Sequence, residues 1–394
     1  VKSSAFFLGF ALLLVLIPSN LVSAALPILS AEWHGRATEM GWVFTTYQIG
    51  YVFSVLIIVP LTDQVPIRRV MVGCTALTGL ASLLFPLLAH GIGSASILRF
   101  FAGAGLAGIY LPGARVIAQA STPEGRGFFV ALYVSAFYLG TSLSLWATGW
   151  LLGFLDWRAT AFVLGVLSLV ALPLVYSRTR NFTLPAGGRK RLDLAVMREG
   201  PIVRNISAYA GHSWELYVSR GWLAAFVTSV LLSEGLRIED ATASGGQWAA
   251  LMSMFSTIGV LAGGWLSDRM GRARASLMIA LASGLCAAVF GFIGTAPWFA
   301  FVAFGCVYGF LISADSPIYS TAILEFASPQ RSGSAQALQA FLGFGVAVIA
   351  PVAAGVVLDL RVGWGGVFLL AGTVEILFAL PLLTLARKET HKSM

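Results

Sequence analysis

The stretch GGWLSDRMGRAR, residues 263–274, closes one long apolar run and opens the next. It carries one acid, Asp268, among three arginines, Arg269, Arg272 and Arg274. A loop this short joins two neighbouring helices, and its charges suit helix ends. An aspartate can cap an N-terminus, and an arginine can reach carboxylates or free carbonyls. A weaker copy, VPLTDQVPIRR, stands at residues 59–69. Asp63 and Asp268 are 205 positions apart; so are Pro112 in YLPGAR and Pro317 in DSPIYS, and Arg126 in PEGRG and Arg331 in PQRSG. Trp157 and Trp364 differ by 207. Four landmarks at nearly one offset make the chain an internal duplication.

What surrounds these loops sets the solvent. The 394 residues are 58% hydrophobic and 11% charged, with mean hydropathy +0.85. A water-soluble chain runs near 25% charged, so this one must use lipid as part of its solvent. Hydropathy predicts twelve spans, at 5–28, 40–61, 69–89, 95–119, 127–152, 158–176, 204–232, 246–266, 274–294, 298–325, 333–357 and 366–386. The polar interruption at 177–203 divides six spans from six and is expected to hold a short interfacial helix near 191–199. The domains expected are 1–176, a cytoplasmic linker at 177–203, and 204–394. Lys2, an apolar run and VSA before Ala25 mimic a secretory signal, but the run continues through Pro27 and reads as a first span.

The net charge of +8 reflects topology rather than nucleic acid. With both termini cytoplasmic, 18 of the 25 Lys and Arg lie on the cytoplasmic side. Only Arg36, Arg158, Arg237 and Arg361 lie opposite, and Arg99, Arg115 and Arg220 fall within spans. Even span numbers give both halves the same orientation, with a symmetry axis along the membrane normal. Cys74, Cys286 and Cys306 sit in apolar stretches without metal or disulfide spacing. No phosphate-binding loop, metal cluster or Ser/His/Asp arrangement stands out, so neither ATP-driven pumping nor catalysis is expected, and no cofactor.

On these residues the chain resembles the major facilitator superfamily. Gly264, Leu266, Asp268, Arg269, Gly271 and Arg272 match its cytoplasmic loop motif. The first copy keeps Leu61, Asp63 and Arg68 but has Gln64 and Pro66 at the arginine and first loop glycine positions. The stretch LRFFAGAGLAGIYLPGAR, residues 98–115, is similar to its fourth-span motif at Arg99, Gly103, Gly105 and Pro112. The resemblance implies an all-α membrane protein of twelve transmembrane helices in two pseudo-symmetric six-helix bundles. It implies alternating access, with spans 1, 4, 7 and 10 around a central cavity. Asp63, Arg68, Asp268, Arg269, Arg272 and Arg115 are then gating residues that latch the cytoplasmic ends. The same charges also read as topology signals alone.

The seventh span holds His212, Glu215 and Arg220 within SAYAGHSWELYVSRGW, residues 207–222, and the tenth holds Asp315. Each charge at a bilayer centre costs roughly 2.5–3.5 kcal/mol, so these groups are expected to face protein or a wet cavity. Helical spacing puts His212, Glu215 and Ser219 on one face and Tyr209, Ser213, Tyr217 and Arg220 on the next. Asp315 and Tyr110 each stand two residues before a proline, predicting symmetry-related helix breaks beside a pocket. One arginine can neutralise one acid; the other acid is then protonated or exchanges its proton with His212.

The expected proton-coupling residues are therefore Asp315, Glu215 and His212. The expected substrate contacts are Arg220 as anion anchor, with Tyr110, Asn20, Tyr217 and Gln48. An inert buried ion pair would explain the same charges. Arg99 and Arg115 read as mainly structural or gating, and Glu375 on span 12 has no evident partner. The function expected is proton-coupled symport of a small organic anion. The alternatives are proton-driven export of drugs or amphipathic compounds, with Trp214, Trp222, Tyr47 and Tyr110 facing the cargo, and a transporter-like sensor or lipid flippase. Span 5 lacks the Gly-Pro pair typical of the family's drug antiporters, which disfavours export. The setting expected is a bacterial inner (plasma) membrane, with a monomer meeting lipid, protons and a small molecule, and no nucleic acid.

Overall fold

A computed structural model describes residues 2–62, 64–122, 126–180, 182, 193–328 and 331–392, and every regular element among them is helical. The order is α1 (Lys2–Leu16), α2 (Leu21–Ala24), α3 (Leu26–Trp33), α4 (Ala37–Leu61), α5 (Ile67–Leu88), α6 (Ile92–Ala120), α7 (Arg126–Leu152), α8 (Trp157–Leu169) and α9 (Ala171–Thr179). A short 3-10 turn at Leu194–Arg198 precedes α10 (Gly200–Ser233). Then come α11 (Ile238–Met270), α12 (Arg272–Phe290), α13 (Trp298–Leu311), α14 (Ser316–Phe326), α15 (Ser332–Asp359), α16 (Gly363–Ala379) and α17 (Leu383–Lys392).

Among the described residues, ten stretches are long and apolar enough to cross a membrane. The pairs α8–α9, α13–α14 and α16–α17 each make one of them. The interrupted first segment, α1 to α3, and α7 fill the other two places of the predicted twelve. Large apolar side chains such as Ile57, Leu261, Phe299 and Leu360 point outward. In water they would associate, whereas in a bilayer they are the solvated surface.

The described residues cluster into two compact units. One takes Val1–Arg189 and Ala224–Ala250, the other Lys190–Leu223 and Leu251–Met394. The first unit is held by close helix crossings. A side chain at Gly50 would collide with the Phe100 carbonyl, and one at Gly103 with the Tyr47 carbonyl, so α4 and α6 touch backbone to backbone. The first segment breaks after Leu16 because Pro18 has no N–H to give. Ser144 on α7 repairs the break: its hydroxyl accepts from Asn20 N–H at 2.9 Å and donates to the Ile17 carbonyl at 2.6 Å. Asp156 accepts from Ala159 N–H at 2.8 Å, capping α8 at Trp157.

The second unit repeats the device. Gly259 abuts the Phe310 carbonyl and Gly309 the Met252 carbonyl, joining α11 to α13. Gly284 on α12 meets the Gly372 carbonyl on α16, and Gly372 meets that of Gly284 in turn.

The two prolines at matched positions do not act alike. Pro112 lies inside a continuous α6. Three residues before it, the Tyr133 hydroxyl donates to the Ile109 carbonyl at 2.9 Å. On the tenth span the helix does break, between Leu311 and Ser316, with Asp315 in the break and Pro317 in the first turn of α14. The expectation of two symmetry-related breaks is thus corrected to one.

Candidate functional site

The deepest polar cluster lies wholly inside the second unit. Helices α10, α12, α14 and α16 bring to it His212, Glu215, Ser283, Asp315, Tyr319 and Glu375. His212 is 2% exposed, Glu215 and Asp315 1%, and Glu375 0%. The break before α14 positions Asp315. His212 Nδ1 stands 2.9 Å from Asp315 Oδ1. That distance makes the contact an ion pair when both ring nitrogens carry a proton. The Tyr319 hydroxyl donates to Asp315 Oδ2 at 3.0 Å. The rings of Tyr209 and Tyr319 flank the imidazole at 5.9 and 5.8 Å. Asn205 fixes this turn of α14 by donating to the Tyr319 carbonyl at 3.1 Å and to Gln339 Oε1 at 3.0 Å.

Glu215 is one turn along α10 from His212. The Ser283 hydroxyl lies 3.0 Å from both of its oxygens. Glu375 reaches the same region because the Gly284–Gly372 crossing presses α16 against α12. Gly211 clears its path on α10: a Cβ there would stand 2.7 Å from Phe378 Cβ and 3.0 Å from Glu375 Oε2. Among the described residues, no Lys or Arg forms an ion pair with any of the three acids. Three carboxyl groups thus share one imidazole in a dry environment. Full ionisation would strand at least two negative charges there, which a protein interior does not support.

The other expected site residues are dispersed. Arg220 is half-buried, with its guanidinium over the Tyr217 ring at 5.4 Å, so Asp315 finds His212 rather than the arginine. Tyr217 is buried and its ring meets Phe344. Trp222, expected to face cargo, donates its indole N–H to the Pro351 carbonyl at 2.9 Å. In the first unit Asn20 donates to the Thr141 carbonyl at 2.8 Å and ties the broken segment to α7. Gln48 is half-buried on α4. Tyr110 is half-buried and stacks on Tyr133 at 6.2 Å. Arg99 does not snorkel outward. It is 5% exposed, lies over the Tyr47 ring at 4.3 Å, and leaves its Nε without a hydrogen-bond partner. No carboxylate among the described residues pairs with it.

The loop between α11 and α12 is tightly tied. Arg272 bonds Asp268 at 2.5 Å, Glu325 at 3.0 Å and the Ser267 hydroxyl at 2.7 Å. Arg269 stacks on Trp265 at 3.8 Å. Gly271 takes a left-handed φ of 92° that a side chain would strain. Glu389 on α17 accepts from the backbone N–H of Ala273 and Arg274 at 3.1 and 3.0 Å, capping α12 from a distance. Glu325 and Glu389 were invisible as partners, because nothing near them in sequence marks the loop they meet. In the first copy, Arg68 lies over the Tyr176 ring at 5.1 Å and Arg115 donates to Thr62 at 2.7 Å. Asp63 lies outside the described residues. Arg331 bonds Glu199 and Asp193, both at 3.0 Å, and these carboxylates raise its affinity for its proton above the usual arginine range.

A helical bundle of membrane spans, with interrupted helices and buried ionisable groups, defines an integral membrane transporter rather than an enzyme. The family model described as Major Facilitator Superfamily matches residues 8–241 and 216–393, and the chain belongs to that family. It is 28% identical over 348 residues to the 3-(3-hydroxy-phenyl)propionate transporter of Escherichia coli (strain K12), covering 84% of this chain and 80% of that protein. It is 22% identical over 395 residues to the probable hexose phosphate transport protein of Chlamydia muridarum (strain MoPn / Nigg), covering 91% of this chain and 85% of that one. Among solved structures, the nucleoside transporter NupG superposes with a TM-score of 0.76 at 12% identity, over 97% of this chain and 98% of that chain.

Proposed function

We propose that this transporter moves a small organic anion by alternating access, with protons as the coupling ion. The observation that carries the reading is the buried His212–Asp315 contact at 2.9 Å beside Glu215, with no Lys or Arg among the described residues in an ion pair with either acid. Such a cluster changes net charge by taking and releasing protons, and it is stable across the cycle only if water reaches it in some state. Support for an anionic cargo comes from Arg99 in the first unit, which is buried over the Tyr47 ring with its Nε free of any hydrogen bond among the described residues. The relatives' printed names, a hydroxyphenylpropionate transporter and a hexose phosphate transport protein, point to carboxylate or phosphate solutes. The chain works as a monomer in a bacterial inner membrane with both termini in the cytoplasm, and its arginine-rich loops act as cytoplasmic latches.

The test is uptake into proteoliposomes. Purified protein is supplied with labelled 3-(3-hydroxyphenyl)propionate, benzoate or hexose 6-phosphate, with and without an imposed pH gradient. Gradient-driven accumulation of at least one carboxylate is expected. Accumulation of none, together with protection of cells against cationic drugs, would replace anion symport with export.

A further inference from the structure

Glu375 is the buried acid that the proposed cycle does not use. It lies on α16, the twelfth span, and is fully enclosed. Neither of its carboxyl oxygens meets an N–H or O–H donor among the described residues. Within its hydrogen-bonding reach, among the described residues, lies another carboxyl, that of Asp315. Two carboxylates cannot bond to one another; one carboxylic acid and one carboxylate can. The missing donor is a proton.

The neighbours of Glu375 among the described residues are Gly211 and Glu215 on α10, Asp315 in the break before α14, and Tyr319 on α14, while Ser283, Cys286 and Tyr308 lie against Glu215. Ser283 spends its hydroxyl on Glu215, and Tyr319 spends its own on Asp315. His212 faces Asp315. An unpaired buried charge costs several kcal/mol, whereas a neutral acid that donates one hydrogen bond costs little.

We infer that Glu375 is a second proton-binding site of this transporter, which as a neutral acid donates its O–H to Asp315 and in the opposite state of the cycle releases that proton to water as a carboxylate. This rests on the proton-coupled reading and extends it. Asp315 then sits between two proton carriers, the imidazole of His212 and the carboxyl of Glu375. Asp315 and Glu375 share one proton between them.

Infrared difference spectroscopy on the full chain in lipid tests this without any cargo. Wild-type protein at neutral pH is expected to show a protonated-carboxyl stretch that moves when the protein is labelled with carboxyl-13C glutamate. The component of that band contributed by Glu375 is expected to vanish in Glu375→Gln and to persist in Glu215→Gln. A wild-type spectrum with no protonated glutamate at neutral pH would overturn the inference, whatever the variants do. So would a Glu375→Gln spectrum that keeps the band at full wild-type intensity, or loss of the wild-type band on adding sodium ions, which would assign the cluster to a metal cation.

A flux arm follows in proteoliposomes clamped at zero membrane potential, with labelled 3-(3-hydroxyphenyl)propionate as probe. The proton flux per solute is expected to fall by about half in Glu375→Gln; an unchanged ratio overturns the second site. If the cargo class is wrong, wild type and variant both fail to move the probe, and the infrared result still decides Glu375.

Discussion

Asp315→Asn is the most informative single change. The amide has the size of the carboxyl and can keep the hydrogen bond from the Tyr319 hydroxyl, so the break between α13 and α14 should survive. What is lost is charge. At 2.9 Å from His212 Nδ1, the carboxylate attracts an imidazolium by about 6 kcal/mol at an effective dielectric near 20. Desolvation of both groups takes back most of that. An ion-pair contact gives way to a neutral one, leaving a net loss of about 1–2 kcal/mol. The variant is therefore expected to fold, with slightly lower thermal stability. Transport should change far more. With the potential clamped, wild type can hold roughly a tenfold gradient per coupled proton for each pH unit. The variant should hold almost none, although counterflow of labelled solute against unlabelled should continue at a reduced rate. The assay compares the two on one reconstituted batch. An Asp315→Asn protein that still accumulates 3-(3-hydroxyphenyl)propionate against its gradient would refute the assignment of this pair to proton coupling.

Arg220→Lys keeps the charge but loses the planar fork that matches a carboxylate, so it should cost about 1.5–3 kcal/mol of solute binding. Half-saturation would rise roughly ten- to hundredfold at unchanged thermal stability; wild-type kinetics would remove the anchor role. Gly211→Ala places a methyl 2.7 Å from Phe378 Cβ and 3.0 Å from Glu375 Oε2. It should destabilise the second unit by about 1–3 kcal/mol in thermal unfolding, because α16 must back away from α10. Glu389→Ala uncaps α12 and should cost about 1 kcal/mol. Arg272→Ala, which breaks the half-exposed bonds to Glu325 and Asp268, should cost about 1 kcal/mol or less, an effect that shrinks in high salt. A larger loss that is indifferent to salt would show that this loop is held by something other than its charges.

The twelve spans, the duplication and the polar face of the seventh span were legible before any coordinates. So was the burial of Glu215 and Asp315, because hydrocarbon punishes an exposed charge wherever it lies in a chain. The partners were not legible. Arg220 looked like the natural counter-charge for an acid, yet Asp315 met His212, 103 positions away. Arg99 read as structural or gating without a named partner, and the packing of α4 against α6 brought it over the Tyr47 ring. Matching prolines predicted matching breaks, and only the tenth span broke.

Glu375 shows the division most clearly. Composition and periodicity could place it in an apolar helix and mark it as costly there, and no more. Its meeting with Asp315 depends on α16 lying close against α12 and α10, at contacts that need Gly284, Gly372 and Gly211 at once. Solvent preference acts on each residue singly and so can be read along the chain. Which buried charges meet depends on contacts among three helices, and those exist only once the chain has packed.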